Sequence, residues 1–188
     1  MASYHGDELF VSFPSGTWHY FHGTGWTKIT DAVASEMTFA YVIDNGLLDL
    51  VATYGSGTWC MEFWWDAPHE RFDWRWERIT HSQARALIGY IDGGNDSLMH
   101  FVFPSGFWDY IPRINKWVHW GDSTVTTMAI ADMNKDNYPN LITTSHEGTF
   151  YLQWYEKYPG DWHFKWTGIA DVEAISMQGI NIYPSDER

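Results

Sequence analysis

Two segments hold most of the groups in this sequence that could grip a ligand: "WWDAPHERFDWRW" (Trp64 to Trp76) and "WYEKYPGDWHFKW" (Trp154 to Trp166). Each has tryptophans at its two ends, with further aromatics, a proline and charged groups between them. An aromatic ring offers a flat apolar surface to the CH face of a sugar. Neighbouring carboxylate, imidazole, ammonium and guanidinium groups supply the donors and acceptors that sugar hydroxyls need. The candidate ligand-binding residues are therefore Trp64, Trp65, Glu70, Arg71 and Trp74 in the first segment, and Trp154, Tyr155, Tyr158, Asp161 and Trp162 in the second. Strand alternation puts Phe72, Trp74 and Trp76 on one face, and likewise Trp162, Phe164 and Trp166. The same ladders would also stabilise a hairpin by cross-strand stacking with no ligand involved.

Enzymatic signatures do not accompany these residues. GxSxG, HExxH, CxxC and a phosphate-cradling glycine loop are all absent, so no catalytic residue is assigned. Cys60 lies beside Trp59, aligns with His19, Asp109 and Tyr151 of the other repeats, and reads as a buried, inert thiol. The nine histidines are scattered, and the closest pair, His19 and His22, would point to opposite faces of a strand. Two other functions stay open. A small-molecule enzyme would use an axial pocket near Tyr41, Tyr90 and Gln178, and a protein-interaction module would use the Trp and Arg of the long hairpins as anchors.

The elements that must position these residues come from a fourfold repeat. An extended run, a turn with glycine and an aromatic recur as "LFVSFPSGTWHYF" from Leu9, "LVATYGSGTWCMEF" from Leu50, "MHFVFPSGFWDYI" from Met99 and "LITTSHEGTFYLQW" from Leu141. Each predicts a hairpin, with Gly16, Gly57, Gly106 and Gly148 in the turns. A third strand follows with "WTKI", "WERI", "WVHW" and "WTGI", and then a short β-like run: "FAYVID", "LIGYID", "MAIAD" and "SMQGIN". Trp18, Trp59, Trp108 and Phe150, present in every repeat, are read as packing, as are Trp26, Trp76, Trp117 and Trp166. Repeats 2 and 4 carry the long insertions, so function should lie there.

The expected fold is all-β: a four-bladed β-propeller of four-stranded antiparallel blades in a single domain over residues 1–188. The blades span approximately residues 7–30 plus 174–182, 38–80, 85–121 and 127–170. The first hairpin has no short run before it and the last short run has no hairpin after it, so pairing of the C-terminal strand with the N-terminal hairpin would close the ring. Ala40, Gly89, Ala129 and Gly179 are small, as a crowded axis requires. A β-sandwich of similar strand count is the rival architecture.

"DMNKDNYPNLITTS" (Asp132 to Ser145) resembles the FG-GAP or VCBS type of propeller repeat, in which an Asp-rich loop after the inner strand precedes a new strand. "IDNGLLDLVATYGSGTW" (Ile43 to Trp59) is similar to it as well, through Asp44, Asn45, Gly46 and Asp49. Propellers of this type include integrin alpha-chain heads and several lectins. The resemblance implies Ca²⁺ at Asp132, Asn134, Asp136 and Asn140, whose side-chain oxygens match the spacing of a hard-cation loop, with Asp44 and Asp49 as a second candidate. An Asx turn accounts for the same residues without a metal.

Charge and composition narrow the partners. The formal charge of -13 repels phosphate backbones and anionic lipid surfaces, so neither nucleic acid nor membrane insertion is expected. No apolar run reaches the roughly 18 residues of a membrane span. One cysteine excludes an internal disulfide framework, and the sequence shows no signal peptide. The expectation is a cytoplasmic protein, or a secreted one if a leader has been removed. Of 188 residues, 13 are Trp, 11 Tyr and 11 Phe, a density that serves packing, a sticky surface or both. The leading function is that of a carbohydrate-binding protein, a lectin with glycan partners, in which repeated shallow sites raise avidity. Homo-oligomerisation is left open.

Overall fold

The structure, a computed structural model, describes residues 8–21, 25–43, 48–66, 71–91, 97–122, 125–133, 140–158, 161–174 and 177. The expected all-β chain is observed, as four antiparallel sheets whose strands neighbour one another in sequence order. Sheet 1 contains β1 (Glu8–Phe13), β2 (Gly16–Phe21) and β3 (Gly25–Thr30). Sheet 2 contains β4 (Glu36–Ala40), β5 (Asp49–Tyr54), β6 (Gly57–Asp66) and β7 (Arg71–Thr80). Sheet 3 contains β8 (Ala86–Ile91), β9 (Ser97–Phe103), β10 (Gly106–Ile111) and β11 (Lys116–Gly121). Sheet 4 contains β12 (Thr127–Ala131), β13 (Asn140–Ser145), β14 (Gly148–Tyr158) and β15 (Asp161–Ala170). Among the described residues the only helical piece is a 3-10 turn at Pro112–Ile114, so no helix there is long and apolar enough to cross a membrane.

The hairpin glycines do more than turn the chain. Gly57 has φ 126°, a conformation that L side chains rarely adopt. A Cβ there would also run into the Thr80 carbonyl of the third strand, where the register shifts between Thr58 and Trp59. Glycine is needed because the bulge draws the outer strand over the turn.

The sheets stack face to face. Ala40 and Val51 of sheet 2 bury against Leu87, Met99, Phe101 and Phe103 of sheet 3. The opposite face of sheet 3, with Val102 and Phe107, packs on Met128, Leu141 and Leu152 of sheet 4. Strands buried on both faces lose the usual alternation, and β5 ("DLVATY") and β13 ("NLITTS") are buried at every position. The first strands lie closest together. At Gly89 in β8 a side chain would collide with the Phe39 carbonyl of β4, and its N–H donates to Thr38 Oγ1 at 3.0 Å.

The peptide between sheets 1 and 2 is fastened to both of them. Ala34 N–H donates to Ser12 Oγ in the sheet it leaves (2.8 Å), and Ser35 N–H donates to the Thr53 carbonyl in the sheet it enters (2.9 Å). Arg85 and Thr126 make the second kind of bond to Val102 and Thr144, at 2.7 and 2.9 Å. Ala174 N–H makes the first kind, to Thr144 Oγ1 at 2.9 Å. Buried threonines hold the turns beside these crossings: the hydroxyls of Thr17, Thr58 and Thr149 donate to the carbonyls of Ala32, Ser82 and Val172.

Candidate functional site

The hairpin register gives each residue a counterpart in the other sheets, and departures from the repeat show where the chain has specialised. The residue paired with the hairpin glycine is Phe13, Tyr54, Phe103 or Ser145. In sheets 1 to 3 its ring packs against the recurrent tryptophan of the third strand: Phe13 on Trp26 (5.6 Å between centroids), Tyr54 on Trp76 (5.6 Å) and Phe103 on Trp117 (5.9 Å). Sheet 4 has a serine there, and the space that an aromatic would fill becomes a cleft of about 440 Å³ between sheets 3 and 4. That volume lies within the roughly 300–1,000 Å³ of small-molecule sites.

Both walls depart from the repeat. On sheet 4, Thr143 and Ser145 stand where sheet 3 has Phe101 and Phe103. Another recurrent pair sets an aromatic opposite a cation or a histidine: Trp18 with Lys28, Trp59 with Arg78, Trp108 with His119. In sheet 4 the pair is Phe150 with Gly168, so no side chain covers the ring from that position. On sheet 3, Phe107 replaces the threonine found at 17, 58 and 149, and Trp120 replaces the isoleucine at 29, 79 and 169. Phe107, Trp120, Phe150 and Trp166 supply aromatic walls, and Trp166 remains 37% exposed. Phe164 of β15 meets Trp120 edge-on at 4.5 Å and extends the aromatic surface.

Polar groups converge on the same space. Thr143 is 4% exposed and lines the cleft. Ser145 Oγ accepts the Glu147 N–H at 3.2 Å, which leaves its own proton to donate. Asp122 and Glu147 bring carboxylates to the mouth, with side chains 100% and 73% exposed. Rings flanked by hydroxyls and carboxylates can stack on an apolar face and hydrogen-bond its polar edge.

The residues singled out from sequence fall in several places. Trp64, Trp65 and Arg71 lie on the long β6–β7 hairpin; Trp154, Tyr155, Tyr158, Asp161 and Trp162 lie on the β14–β15 hairpin. Glu70 is outside the described residues. Trp74 is half-buried and opposite Phe63. Of the two aromatic ladders, the one in sheet 2 ends on Trp76, sealed by Tyr54, whereas the one in sheet 4 ends on Trp166 in the open cleft. Of the axial candidates, Tyr41 follows β4, Tyr90 is on β8, and Gln178 is outside the described residues. Sequence reasoning missed Ser145, Thr143, Phe107 and Trp120. The signal was present in the aligned repeats, as a missing aromatic rather than an added one.

For the loop residues, Asn140 Oδ1 accepts the Met133 N–H at 2.8 Å. Asp49 occupies the matching place in sheet 2, its Oδ2 accepting the Val42 and Ile43 N–H groups at 2.9 Å. These bonds are those of a side-chain-closed turn. Asp132 is half-buried, while Asn134, Asp136 and Asp44 lie outside the described residues. Among the described residues no three His, Cys, Asp or Glu side chains group as metal ligands would. Burial pushes the Asp49 carboxyl above its usual range, the Ile43 and Val42 N–H groups pull it back, and nearby Glu62 pushes it up again. Cys60 is buried, and desolvation, aided by the charges of Asp49, Glu77 and Glu62, pushes its thiol well above the ordinary range. A second buried group is polar by design: His100 Nδ1–H donates to Asp109 Oδ1 at 2.6 Å, at the positions held by Val51 and Cys60 in sheet 2.

No family model and no curated protein matches the chain.

Proposed function

We propose that the protein is a carbohydrate-binding protein of four-bladed propeller architecture, and that the cleft between sheets 3 and 4 is a glycan site. The observation that carries the reading is the replacement of the sealing aromatic by Ser145, which opens Trp166 and Phe150 beside Thr143. Phe164 of β15, edge-on to Trp120, would lengthen the site. The test is a glycan array with the intact protein and a Ser145→Tyr variant. Selective binding that the variant loses supports the reading; a folded protein that binds no glycan sinks it.

Closure of the ring is supported by the crossings. The peptide leaving sheet 4 is tied at Ala174 as the one leaving sheet 1 is tied at Ala34, which leads into the first strand of sheet 2. Sheet 1 has three described strands and lacks that first position. Leu9 and Phe13 are 51% and 40% exposed, whereas their counterparts Leu50 and Tyr54 are 0% and 6% exposed. A C-terminal strand paired on β1, with the faces of sheets 1 and 4 brought together, would cover them. Amide exchange distinguishes the cases: β1 amides that point away from β2 are protected if the strand is paired on both sides, and exchange fast if it is an edge.

A further inference from the structure

We infer that the cleft selects sugars carrying a positive charge, such as amino sugars, over neutral and acidic ones. The inference rests on reading the cleft as a glycan site, and adds the ligand's charge. Three observations carry it. First, both ionisable groups of the lining, Asp122 and Glu147, are carboxylates, and among the described residues no Lys or Arg lines the cleft. Secondly, the rings of Trp120, Trp166, Phe150 and Phe107 line the walls, and an aromatic ring attracts an ammonium group placed over its face, most strongly where water is excluded. Thirdly, the cation or histidine that faces the recurrent aromatic in the other three sheets is absent in the fourth, where Gly168 faces Phe150. A ligand ammonium would take the place that Lys28 and Arg78 hold over Trp18 and Trp59. His119 and His146 each stand 4.0 Å from one of the carboxylates. The formal charge of -13 acts in the same direction, drawing cations in and repelling uronates and sulfated sugars.

The experiment uses one oligosaccharide in three forms at pH 7.5: N-trimethylated (permanently cationic), N-acetylated (neutral) and uronate (anionic). Each is titrated calorimetrically in low salt and in about 0.5 M NaCl, where screening shortens the reach of charge to a few ångströms. The cationic form is expected to bind at least tenfold more tightly than the neutral one in low salt, with no binding of the uronate. In the Asp122→Asn/Glu147→Gln variant the ratio should fall below about threefold. Ser145→Tyr, which changes no charge, should abolish binding of the cation. Equal binding of the neutral and cationic forms overturns the inference while leaving the glycan site intact. Equal binding of the cation by Ser145→Tyr means attraction to the surface at large and also overturns it. Failure of all three forms to bind the folded protein removes the glycan reading together with the inference.

Discussion

Tyr54 meets Trp76 edge-on with ring centroids 5.6 Å apart, and its hydroxyl donates to Thr17 Oγ1 at 3.4 Å. One side chain thus seals the gap between sheets 1 and 2 and reaches across it. Tyr54→Ala should open there the cavity that sheet 4 has naturally, at a cost of roughly 3–5 kcal/mol. Tyr54→Phe, which keeps the ring contact, should cost about 1 kcal/mol or less. Urea denaturation of both variants checks the contrast; equal losses would mean that the ring does not seal the gap.

Sheet 4 offers the reverse substitution. Ser145→Tyr fills the cleft where Tyr54 fills its counterpart, so glycan affinity should drop more than tenfold while the thermal midpoint holds or rises. A variant that unfolds several degrees earlier would show that the cleft cannot accept the ring.

Much of this arrangement was legible in the repeats. The hairpin glycines, the recurring tryptophans and the small residues at 40, 89 and 129 mark places where the same backbone geometry recurs, and the same geometry demands the same residue each time. The long hairpins were legible as insertions, and the ladder through Phe164 and Trp166 pointed at one wall of the cleft. What stayed hidden depends on contacts between sheets. Ser145 is informative only beside Phe13, Tyr54 and Phe103, and only once the stacking sets Trp120 opposite it. His100 and Asp109 looked like members of a scattered set, although the hairpin register makes them direct partners.

That pair gives a second test. His100 and Asp109 are each 3% exposed, and Asp109→Ala would leave a buried imidazole without its acceptor, at about 3–5 kcal/mol. Replacing both with the residues of sheet 2, as His100→Val with Asp109→Cys, should recover all but about 1 kcal/mol. Chemical denaturation of the single and double variants decides it; a double variant as weak as the single one would mean that the hydrogen-bonded pair is needed for more than its own satisfaction.

Asp49 makes stability depend on pH. It is fully buried, and its folded-state pKa is raised above the unfolded value near 3.9. Its contribution is therefore complete below about pH 4 and is lost as pH rises through the folded pKa. Asp49→Asn, the residue that sheet 4 carries as Asn140, should raise Tm by roughly 2–4 °C at pH 7, and the difference should vanish below pH 4. Melting curves from pH 3.5 to 7.5 are the measurement, and a constant offset would contradict the assignment to this carboxyl.

The fastening of the crossing peptides, to the sheet behind at Ala34 and Ala174 and to the sheet ahead at Ser35, Arg85 and Thr126, bears on how the molecule comes apart. Each sheet accepts at least one of these bonds, so a sheet that frayed alone would loosen the peptide that joins it to a neighbour. Loss of order is therefore shared along the chain, and the four repeats unfold as one unit rather than peeling away like beads from a string.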